Sequence, residues 1–217
     1  MEWPTLRELP VWAPMPDGYQ YKIPSREDVP QLIGAIERWY PAISVGAASC
    51  YTRPHFYHEK VALEGAEGPK DILVLMYMHD KRLVGVASME REPDALSVYG
   101  RLAVIDPRSS GYKDCIGRNG RHGWDGHAPW RRILYVLATM KHPYAQMLLE
   151  RRGYRLLGLI PGYDREVGSD GRVFRIFEAL YAKVLISDDR LLRPDPSDQT
   201  QGTRALFELL FPSKVGN

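Results

Sequence analysis

The chain has 217 residues, of which 44% are hydrophobic and 26% are charged. This composition is typical of one soluble globular domain and argues against extensive disorder. The formal net charge of +2 is too small to indicate a nucleic-acid or membrane partner. The two cysteines, Cys50 and Cys115, are too few for a disulfide framework or a zinc site, which fits a reducing compartment.

The first 18 residues contain four prolines and two tryptophans. This composition predicts an ordered arm anchored by Trp3 and Trp12 rather than a helix. Acidic residues stand where a signal peptide needs basic and then apolar ones, and no apolar run has the length of a bilayer span. We therefore expect a cytoplasmic protein with an N-terminal arm (1–18), a main domain (19–186) and a C-terminal extension with a short helix (187–217).

Residues 19–40 predict a strand followed by a helix. The strand covers residues 19–23, and Ser25 then provides a hydroxyl that can cap the helix N-terminus. Apolar residues follow at helical spacing and form one core-facing stripe: Val29, Leu32, Ile33, Ile36 and Tyr40. Pro41 ends this helix, and residues 41–70 form an irregular stretch.

Three strands are predicted next. Residues 71–78 and 83–90 are apolar runs joined by a tight polar turn, which predicts a hairpin. Residues 95–105 form the third strand of this meander. Gly100 within it predicts a bulge or a close approach of two backbones.

Residues 142–166 predict a helix, a glycine stop and a strand. Tyr144, Met147 and Leu148 form the buried stripe of the helix, which Ala145 and Leu149 widen. A glycine at position 153 ends this helix after two arginines. Residues 154–160 then predict a buried strand, and Ile133–Thr139 predicts another strand just upstream.

The run ILYVLATMKHPYAQMLLERRGYRLLGLIPGYDRE resembles the last third of a GCN5-related N-acetyltransferase (GNAT) domain. In that family a strand, a polar-Pro-x-Ala-x-x-Leu helix, a Gly-aromatic pair and a further strand recur in this order. The resemblance implies an α+β fold with a central, mostly antiparallel twisted sheet flanked by helices. It also implies that residues 173–186 form a terminal strand that closes the sheet after a turn at 168–171.

The same resemblance implies an N-acetyltransferase that moves an acetyl group from acetyl-CoA to an amine of a small molecule or protein by direct attack. In GNAT enzymes the strands splay near the third meander strand and admit the pantetheine arm of coenzyme A. The matching residues here are Leu102, Ala103 and Val104. His55 and His58 lack an evident third ligand, so we predict no metal site.

The pyrophosphate motif of the family, Arg/Gln-x-x-Gly-x-Gly/Ala, is only half present. Arg108, Ser110 and Gly111 match it, whereas Lys113 stands where the second small residue belongs; all four are candidate cofactor-binding residues. Residues 108–132 carry six basic and two acidic side chains, a local charge of +4. Three interpretations stay open: a glycine-rich loop that attracts phosphates, a solvated surface loop, or an abnormal segment from a frame slip or a decayed motif.

The catalytic pattern of the family is also incomplete. Its usual acid is a tyrosine that Leu149 replaces here, and Tyr144 or Tyr154 could substitute or simply pack. Candidate bases lie on the central strands, because family bases commonly sit there: Glu90, Glu92 and Tyr99. His142, where the family often has Asn, is predicted to cap the helix. We select Glu90, Tyr99 and Tyr144 as catalytic candidates.

Two alternatives to the acetyl-CoA-dependent enzyme follow from these departures. One is a catalytically inactive GNAT-like binding or regulatory protein. The other is an acyltransferase that uses a longer acyl donor on CoA or on a carrier protein, which the cationic loop would meet. The sequence is compatible with a homodimer and indicates no membrane or nucleic-acid partner.

Overall fold

The computed structural model describes residues 3–12, 15–109 and 133–212. The chain divides into two compact units, Met1–Val184 and Leu185–Asn217. Within the described ranges, no helix combines the length and hydropathy of a membrane-spanning segment.

The first unit contains most of the secondary structure. Its elements are α1 (Leu9–Trp12), β1 (Tyr19–Lys22), α2 (Val29–Trp39), α3 (Pro54–Lys60), β2 (Val61–Ala62), β3 (Ile72–His79), β4 (Arg82–Glu92), β5 (Ser97–Ile105), β6 (Ile133–Thr139), α4 (Tyr144–Arg151), β7 (Arg155–Val167) and β8 (Val173–Val184). The short 3-10 segments Pro41–Val45 and Ala47–Thr52 join α2 to α3. The predicted order of a strand, a helix and a three-strand meander is confirmed, but residues 41–70, predicted to be irregular, contain α3 and β2 as well.

The second unit contains the C-terminal helix α5 (Gln201–Leu210). The Thr200 hydroxyl caps it by accepting a hydrogen bond from the Thr203 N–H. The predicted short helix is therefore confirmed. Its docking on the main domain stays a prediction.

The strands form one sheet in the order β1-β3-β4-β5-β6-β8-β7, and β2 pairs with β3 outside this path. The pairs β2–β3 and β5–β6 are parallel, and the others are antiparallel. The predicted α+β fold with a mostly antiparallel sheet is confirmed. The last strand β8 lies between β6 and β7, so it closes the hairpin from inside the sheet rather than at its edge.

One face of the sheet, the front face, packs against α2 and α3. Leu32 and Ile36 of α2 are fully buried there against alternate residues of β3 and β4. Two buried tyrosines tie α3 and its preceding turn to the sheet. Tyr51 shares a 2.5 Å hydrogen bond with the Ser88 hydroxyl, and Tyr57 donates to the Tyr51 carbonyl at 2.8 Å. These bonds satisfy hydroxyls that burial would otherwise penalise.

The N-terminal arm covers the opposite face of β3. Leu9 is fully buried against Leu73 and Leu75, and the Trp3 indole N–H donates to the Lys70 carbonyl at 2.9 Å. The arm thus takes an ordered path with Trp3 as an anchor, as predicted. It also contains the short helix α1, which its proline content did not predict, and the anchoring role of Trp12 stays a prediction.

The predicted strand after Gly153 is confirmed, but its predicted burial and its predicted end before Pro161 are wrong. β7 runs from Arg155 to Val167, straight past Pro161 and Gly162, with a register shift between Ile160 and Asp164. Because β8 inserts between β6 and β7, β7 pairs only with β8 among the described residues and is largely exposed. The hydrophobic period and composition of residues 154–160 could not predict this exposure, since they do not reveal the order of strands in a sheet.

The face of α4 that packs against the sheet is not the one predicted. Tyr144 and Met147 are exposed, whereas Leu149 is buried against Ala138, Ala179 and other residues of β6 and β8. These two alanines leave room on the sheet for Leu149, and this pairing selects the face. Gly153 ends the helix with φ +75°, as predicted. The predicted cap by His142 is wrong, because the N-cap residue is Pro143 and makes no side-chain cap.

Truncation of Leu9 tests whether the arm belongs to the core. Leu9→Ala should lower the free energy of unfolding by about 2–4 kcal/mol, because it leaves a cavity against β3. Urea denaturation measures this change. Leu192→Ala is the matched control, since Leu192 is fully exposed, and it should change stability by less than about 0.5 kcal/mol. Equal effects of the two variants would contradict a structural role for the arm.

Candidate active site

Strands β5 and β6 diverge partway along the sheet. They pair in parallel only through residues 97–100 and 133–136. Beyond this point, among the described residues, β5 pairs with β4 alone and β6 with β8 alone. A Cβ on Gly100 would lie 3.1 Å from Val136 Cγ2, and the register of β5 against β4 shifts beside it. Gly100 thus lies at a bulge, one of the two predicted alternatives, and its close neighbour is the Val136 side chain rather than a second backbone.

The diverging strands leave backbone groups of β5 directed into the opening. The Asp106 N–H donates to the Val84 carbonyl of β4 at 2.9 Å. Backbone groups alternate in direction along a strand, so those of Ala103 and Ile105 point away from β4. Ala103 is exposed. An extended ligand with amide groups can therefore pair with this edge as a further strand would.

A cavity of about 50 Å³ lies on the front face where the strands diverge. Four strands and the segment Ala47–Thr52 supply its walls. The lining residues are Tyr99 and Arg101 of β5, Leu137 of β6, Tyr163 and Asp164 of β7, Glu178 of β8, and Ala47, Ala48 and Tyr51. We call this cavity the β5–β8 pocket.

Glu178 is the titratable group best suited to proton transfer in the β5–β8 pocket. Its residue is 8% exposed. Burial, and then the negative charge of Asp164, raise the pKa of Glu178 to about 7. A carboxyl group with this pKa is about half ionised at neutral pH, so it can both accept and release a proton there.

Tyr99 and Tyr51 of the pocket remain protonated. Burial and a 3.4 Å hydrogen bond shared with the Tyr163 hydroxyl raise the pKa of Tyr99 far above its ordinary value. Burial raises the pKa of Tyr51 to about 12. These hydroxyls can donate hydrogen bonds to a bound group, but they are weak acids.

Asp164 on β7 fixes residues 46 and 47 against the wall of the pocket, and we call this contact the clamp. The Asp164 carboxylate accepts a hydrogen bond from the Ala47 N–H at 2.5 Å. A Cβ on Gly46 would lie 2.5 Å from the same carboxylate and 2.7 Å from the Arg165 carbonyl. Only a glycine at position 46 therefore lets this segment approach β7 so closely.

Solved acetyltransferases share this arrangement of strands and helices. The microcin C7 self-immunity acetyltransferase MccE, solved with acetyl-CoA and AMP, is 12% identical, with a TM-score of 0.53 over 79% of this chain and 94% of its own. A spermidine N-acetyltransferase from Vibrio cholerae is 11% identical, with a TM-score of 0.58 over 78% and 95%. Arabidopsis thaliana NAA60, solved with a bisubstrate analogue, is 16% identical, with a TM-score of 0.52 over 76% and 97%.

The chain has the GNAT fold. At these identities the likeness establishes the fold, and the chemistry has to be argued from the residues. No protein-family model and no curated protein sequence matches the chain.

The GNAT fold places the three catalytic candidates in different surroundings. Tyr99 lines the β5–β8 pocket. Glu90 is its cross-strand neighbour and accepts a 2.5 Å hydrogen bond from Arg101, so its carboxylate is committed to orienting that guanidinium. Tyr144 is exposed on α4, beside the ring of His142, and does not line the pocket. The catalytic roles of these residues stay predictions.

The cofactor-binding candidates of the GNAT motif are described only in part. Leu102, Ala103 and Val104 lie in β5 beside the opening. Arg108 donates to the buried Asp106 carboxylate from its backbone N–H and its Nε, at 3.0 and 3.2 Å. Ser110, Gly111 and Lys113 lie outside the described residues, so the three interpretations of that segment stay open.

Asp106 anchors this end of β5. Burial opposes its ionisation, but hydrogen bonds from Arg108 and Arg82 outweigh burial and lower the pKa of Asp106 to about 2. Arg108 is thereby held against the protein through its own Asp106 contact. A phosphate group would have to share Arg108 with this carboxylate.

Sequence analysis missed Glu178 and Asp164. Glu178 is the only carboxylate in the mostly apolar run VFRIFEALYAKVLI, which also contains Arg175 and Lys183, and a carboxylate within such a strand is a signal for a functional group. Asp164 follows a register shift in β7, and no sequence period predicts its position.

Replacement of Gly46 tests the clamp. Gly46→Ala should lower the free energy of unfolding by about 1–3 kcal/mol, because the new methyl group overlaps Asp164 and the Arg165 carbonyl. Thermal or urea denaturation measures the loss. Gly158→Ala is the matched control, since a Cβ on Gly158 meets no atom within 4 Å. A Gly46→Ala protein as stable as this control would refute the clamp.

The raised pKa of Glu178 predicts a pH-dependent stability difference. The folded pKa of about 7 exceeds the ordinary value near 4.3, so the folded state binds the proton more tightly and loses stability as the pH rises between these values. Glu178→Gln removes this loss. The variant should gain stability over the wild type, on the order of 1–2 kcal/mol, between pH 4 and pH 8.

Paired urea denaturation curves at several pH values measure this difference. The exposed Glu37 of α2 provides the control Glu37→Gln, the same substitution outside the β5–β8 pocket. A constant offset for Glu178→Gln would show that the Glu178 pKa is not raised.

Proposed function

We propose that the protein is an N-acyltransferase that moves an acetyl group from acetyl-CoA to an amine of a small molecule or protein. The observation that carries this proposal is the junction of two features. The opening between β5 and β6 presents strand backbone to an extended donor, and the adjoining pocket contains a carboxyl group with a pKa of about 7. The GNAT fold of solved acetyltransferases supports it.

The proposed reaction begins with deprotonation of the acceptor. The Glu178 carboxylate takes one proton from the acceptor ammonium, which frees the nitrogen lone pair. The nitrogen attacks the thioester carbonyl, the C–N bond forms, and the C–S bond then breaks. Backbone N–H groups beside Val104 polarise the carbonyl, as the family resemblance implies. The second proton of the nitrogen is available to the departing thiolate.

Tyr99 serves this reaction as a hydrogen-bond donor. Its raised pKa keeps the hydroxyl protonated, so it can stabilise negative charge on the carbonyl oxygen or the thiolate. Leu149, where many family members have their acid, is buried in the contact between α4 and the sheet and carries no exchangeable proton. The thiolate therefore receives its proton from the attacking amine or from water rather than from a side chain at position 149.

A second candidate function is a GNAT-fold protein that binds its ligand without turnover. Leu149 and the half-matched pyrophosphate motif with Lys113 favour it. It predicts acetyl-CoA binding with no product from any amine. We also propose the cytoplasmic location and the amine partner that the sequence indicated.

Steady-state kinetics test the enzyme. With acetyl-CoA and a panel of primary amines, release of free CoA thiol and mass spectrometry of the product should show N-acetylation. Glu178→Gln should lower kcat/KM by about 10²–10³-fold, since a positioned base contributes about this much. The wild-type kcat/KM should rise with pH as Glu178 ionises near pH 7, and the variant should lose this dependence.

Binding measurements separate the two candidates. Isothermal titration should detect acetyl-CoA binding to the wild type and to Glu178→Gln alike, and Glu37→Gln should keep full activity. Binding without turnover across the amine panel would favour the second candidate. An absence of binding at millimolar acetyl-CoA would overturn both.

A further inference from the structure

A second cavity, of about 160 Å³, lies between α2 and the ends of β4 and β5. We call it the α2–β5 cavity. It is smaller than the roughly 300–1,000 Å³ of pockets for drug-sized ligands, so it suits a small ion or the charged end of a larger molecule. Its walls include Gln31, Ala35 and Arg38 of α2, Arg82 of β4, and Asp106 and Arg108 just after β5.

The charge of the α2–β5 cavity is positive. Arg38, Arg82 and Arg108 reach it from three separate elements, and Asp106 is the only carboxylate among the described residues that line it. Three guanidinium groups and one carboxylate leave a formal charge of +2. Like charges that share a cavity repel one another, so the cavity favours an anionic ligand.

Asp106 orients two of these guanidinium groups. Its side chain is only 1% exposed, and it accepts hydrogen bonds from Arg108 Nε at 3.2 Å and from Arg82 Nη2. The side chains of Arg82 and Arg108 are themselves more than half exposed. Arg82 uses only Nη2 for this contact, so its Nε and Nη1 donors have no partner among the described residues. The buried carboxylate thus fixes the guanidinium groups and leaves donors available to a ligand.

Arg38 provides the third guanidinium group. Gln31, Ala35 and Arg38 follow one another at helical spacing, so they lie on one face of α2. A Cβ on Gly34 would lie 3.3 Å from Arg38 Nη1, which places the guanidinium group back along the helix. Within the described ranges the Arg38 side chain has no hydrogen bond or ion pair. Its charge is therefore available to a ligand in the cavity.

The α2–β5 cavity lies on a different side of β5 from the opening proposed for the donor. The opening separates β5 from β6. The cavity lies under α2 and beside β4, to which the Asp106 N–H donates a 2.9 Å hydrogen bond at the Val84 carbonyl. Arg108 is a candidate for both places, whereas Arg38 and Arg82 line only the cavity. A group bound by Arg38 and Arg82 therefore has a site of its own.

We propose that the α2–β5 cavity binds a phosphate group, carried by inorganic phosphate or by a small phosphate monoester. The oxygens of a tetrahedral phosphate point in several directions, so guanidinium groups from three elements can each bind a different oxygen. A planar carboxylate has only two oxygens. The phosphate charge of about −2 at neutral pH also matches the charge of the cavity. This site does not depend on the proposed acyl transfer.

Isothermal titration of the full-length protein at pH 7.5 and constant ionic strength tests the ligand. Inorganic phosphate and methyl phosphate are compared with acetate, which should bind at least about tenfold more weakly than phosphate. Binding of inorganic phosphate alone would identify the free ion as the ligand, and equal or tighter binding of methyl phosphate would identify a monoester. Either result supports the site. Acetate binding as tight as that of phosphate, or no binding at millimolar phosphate, would overturn it.

Two variants locate the site. Arg38→Gln and Arg82→Gln should each weaken phosphate binding at least about tenfold, the effect of one charge-assisted contact. The exposed Arg26, which precedes α2 and does not line the cavity, provides the control Arg26→Gln. This control should change the affinity by less than about twofold, because salt screens a distant exposed charge.

Melting curves without phosphate show whether each variant folds. Arg82→Gln loses the contact with Asp106 and can be less stable, whereas Arg38→Gln removes no side-chain contact of the described protein. Arg38→Gln therefore tests the site even where Arg82→Gln does not fold. Equal phosphate affinities of the wild type and Arg38→Gln would contradict the assignment.

Acetyl-CoA also carries phosphate groups, and a second titration separates it from this site. Acetyl-CoA should bind Arg38→Gln as tightly as the wild type. Weaker acetyl-CoA binding by Arg38→Gln, together with competition between phosphate and acetyl-CoA, would assign the cavity to the donor and overturn a separate site. Phosphate binding by a protein that does not bind acetyl-CoA would support the site and reject the proposed enzyme.

Discussion

The site depends on one event in the sheet, the end of parallel pairing between β5 and β6 at Gly100 and Val136. Parallel strands normally continue their ladder, so divergence leaves backbone groups that need another partner. Here each strand stays anchored on its outer side, β5 to β4 and β6 to β8. The opening is therefore a rigid feature of the sheet, and the residues on its rim are positioned by strands rather than by loops.

Electrostatics in the opening follow from burial of acidic groups on strands. Glu178 is surrounded by protein and faces Asp164, which raises its pKa towards neutrality. Asp164 in turn is committed to the Ala47 N–H, where a missing Cβ on Gly46 permits the contact. A structural clamp and a proton-transfer group are thus coupled through one carboxylate. Such buried acids reduce stability, which is the usual consequence of building a site for chemistry.

Local sequence predicted local structure well. The β3–β4 hairpin, the strand β5 with its irregular Gly100, and the helix that ends at Gly153 all depend on contacts between near neighbours. The incorrect predictions concern features that depend on strands distant in the sequence. In α4, Leu149 faces the sheet because Ala138 and Ala179 leave room for it there. β7 lies at the edge of the sheet because β8 lies between it and β6.

The sequence by itself determined the order of β1, α2 and the β3–β5 meander and, through the run from Ile133 onwards, the GNAT fold, because hydrophobic period, glycine stops and turn residues act over a few positions. It did not reveal α1, α3 or β2. It also marked Tyr99 and residues 102–104, which lie on the strand that borders the opening. Only the tertiary structure brought Glu178, Asp164 and Tyr51 into one pocket. Tyr51 lies more than a hundred positions before Asp164 and Glu178 in the chain. The strand register that brings them together is not specified by any local sequence pattern.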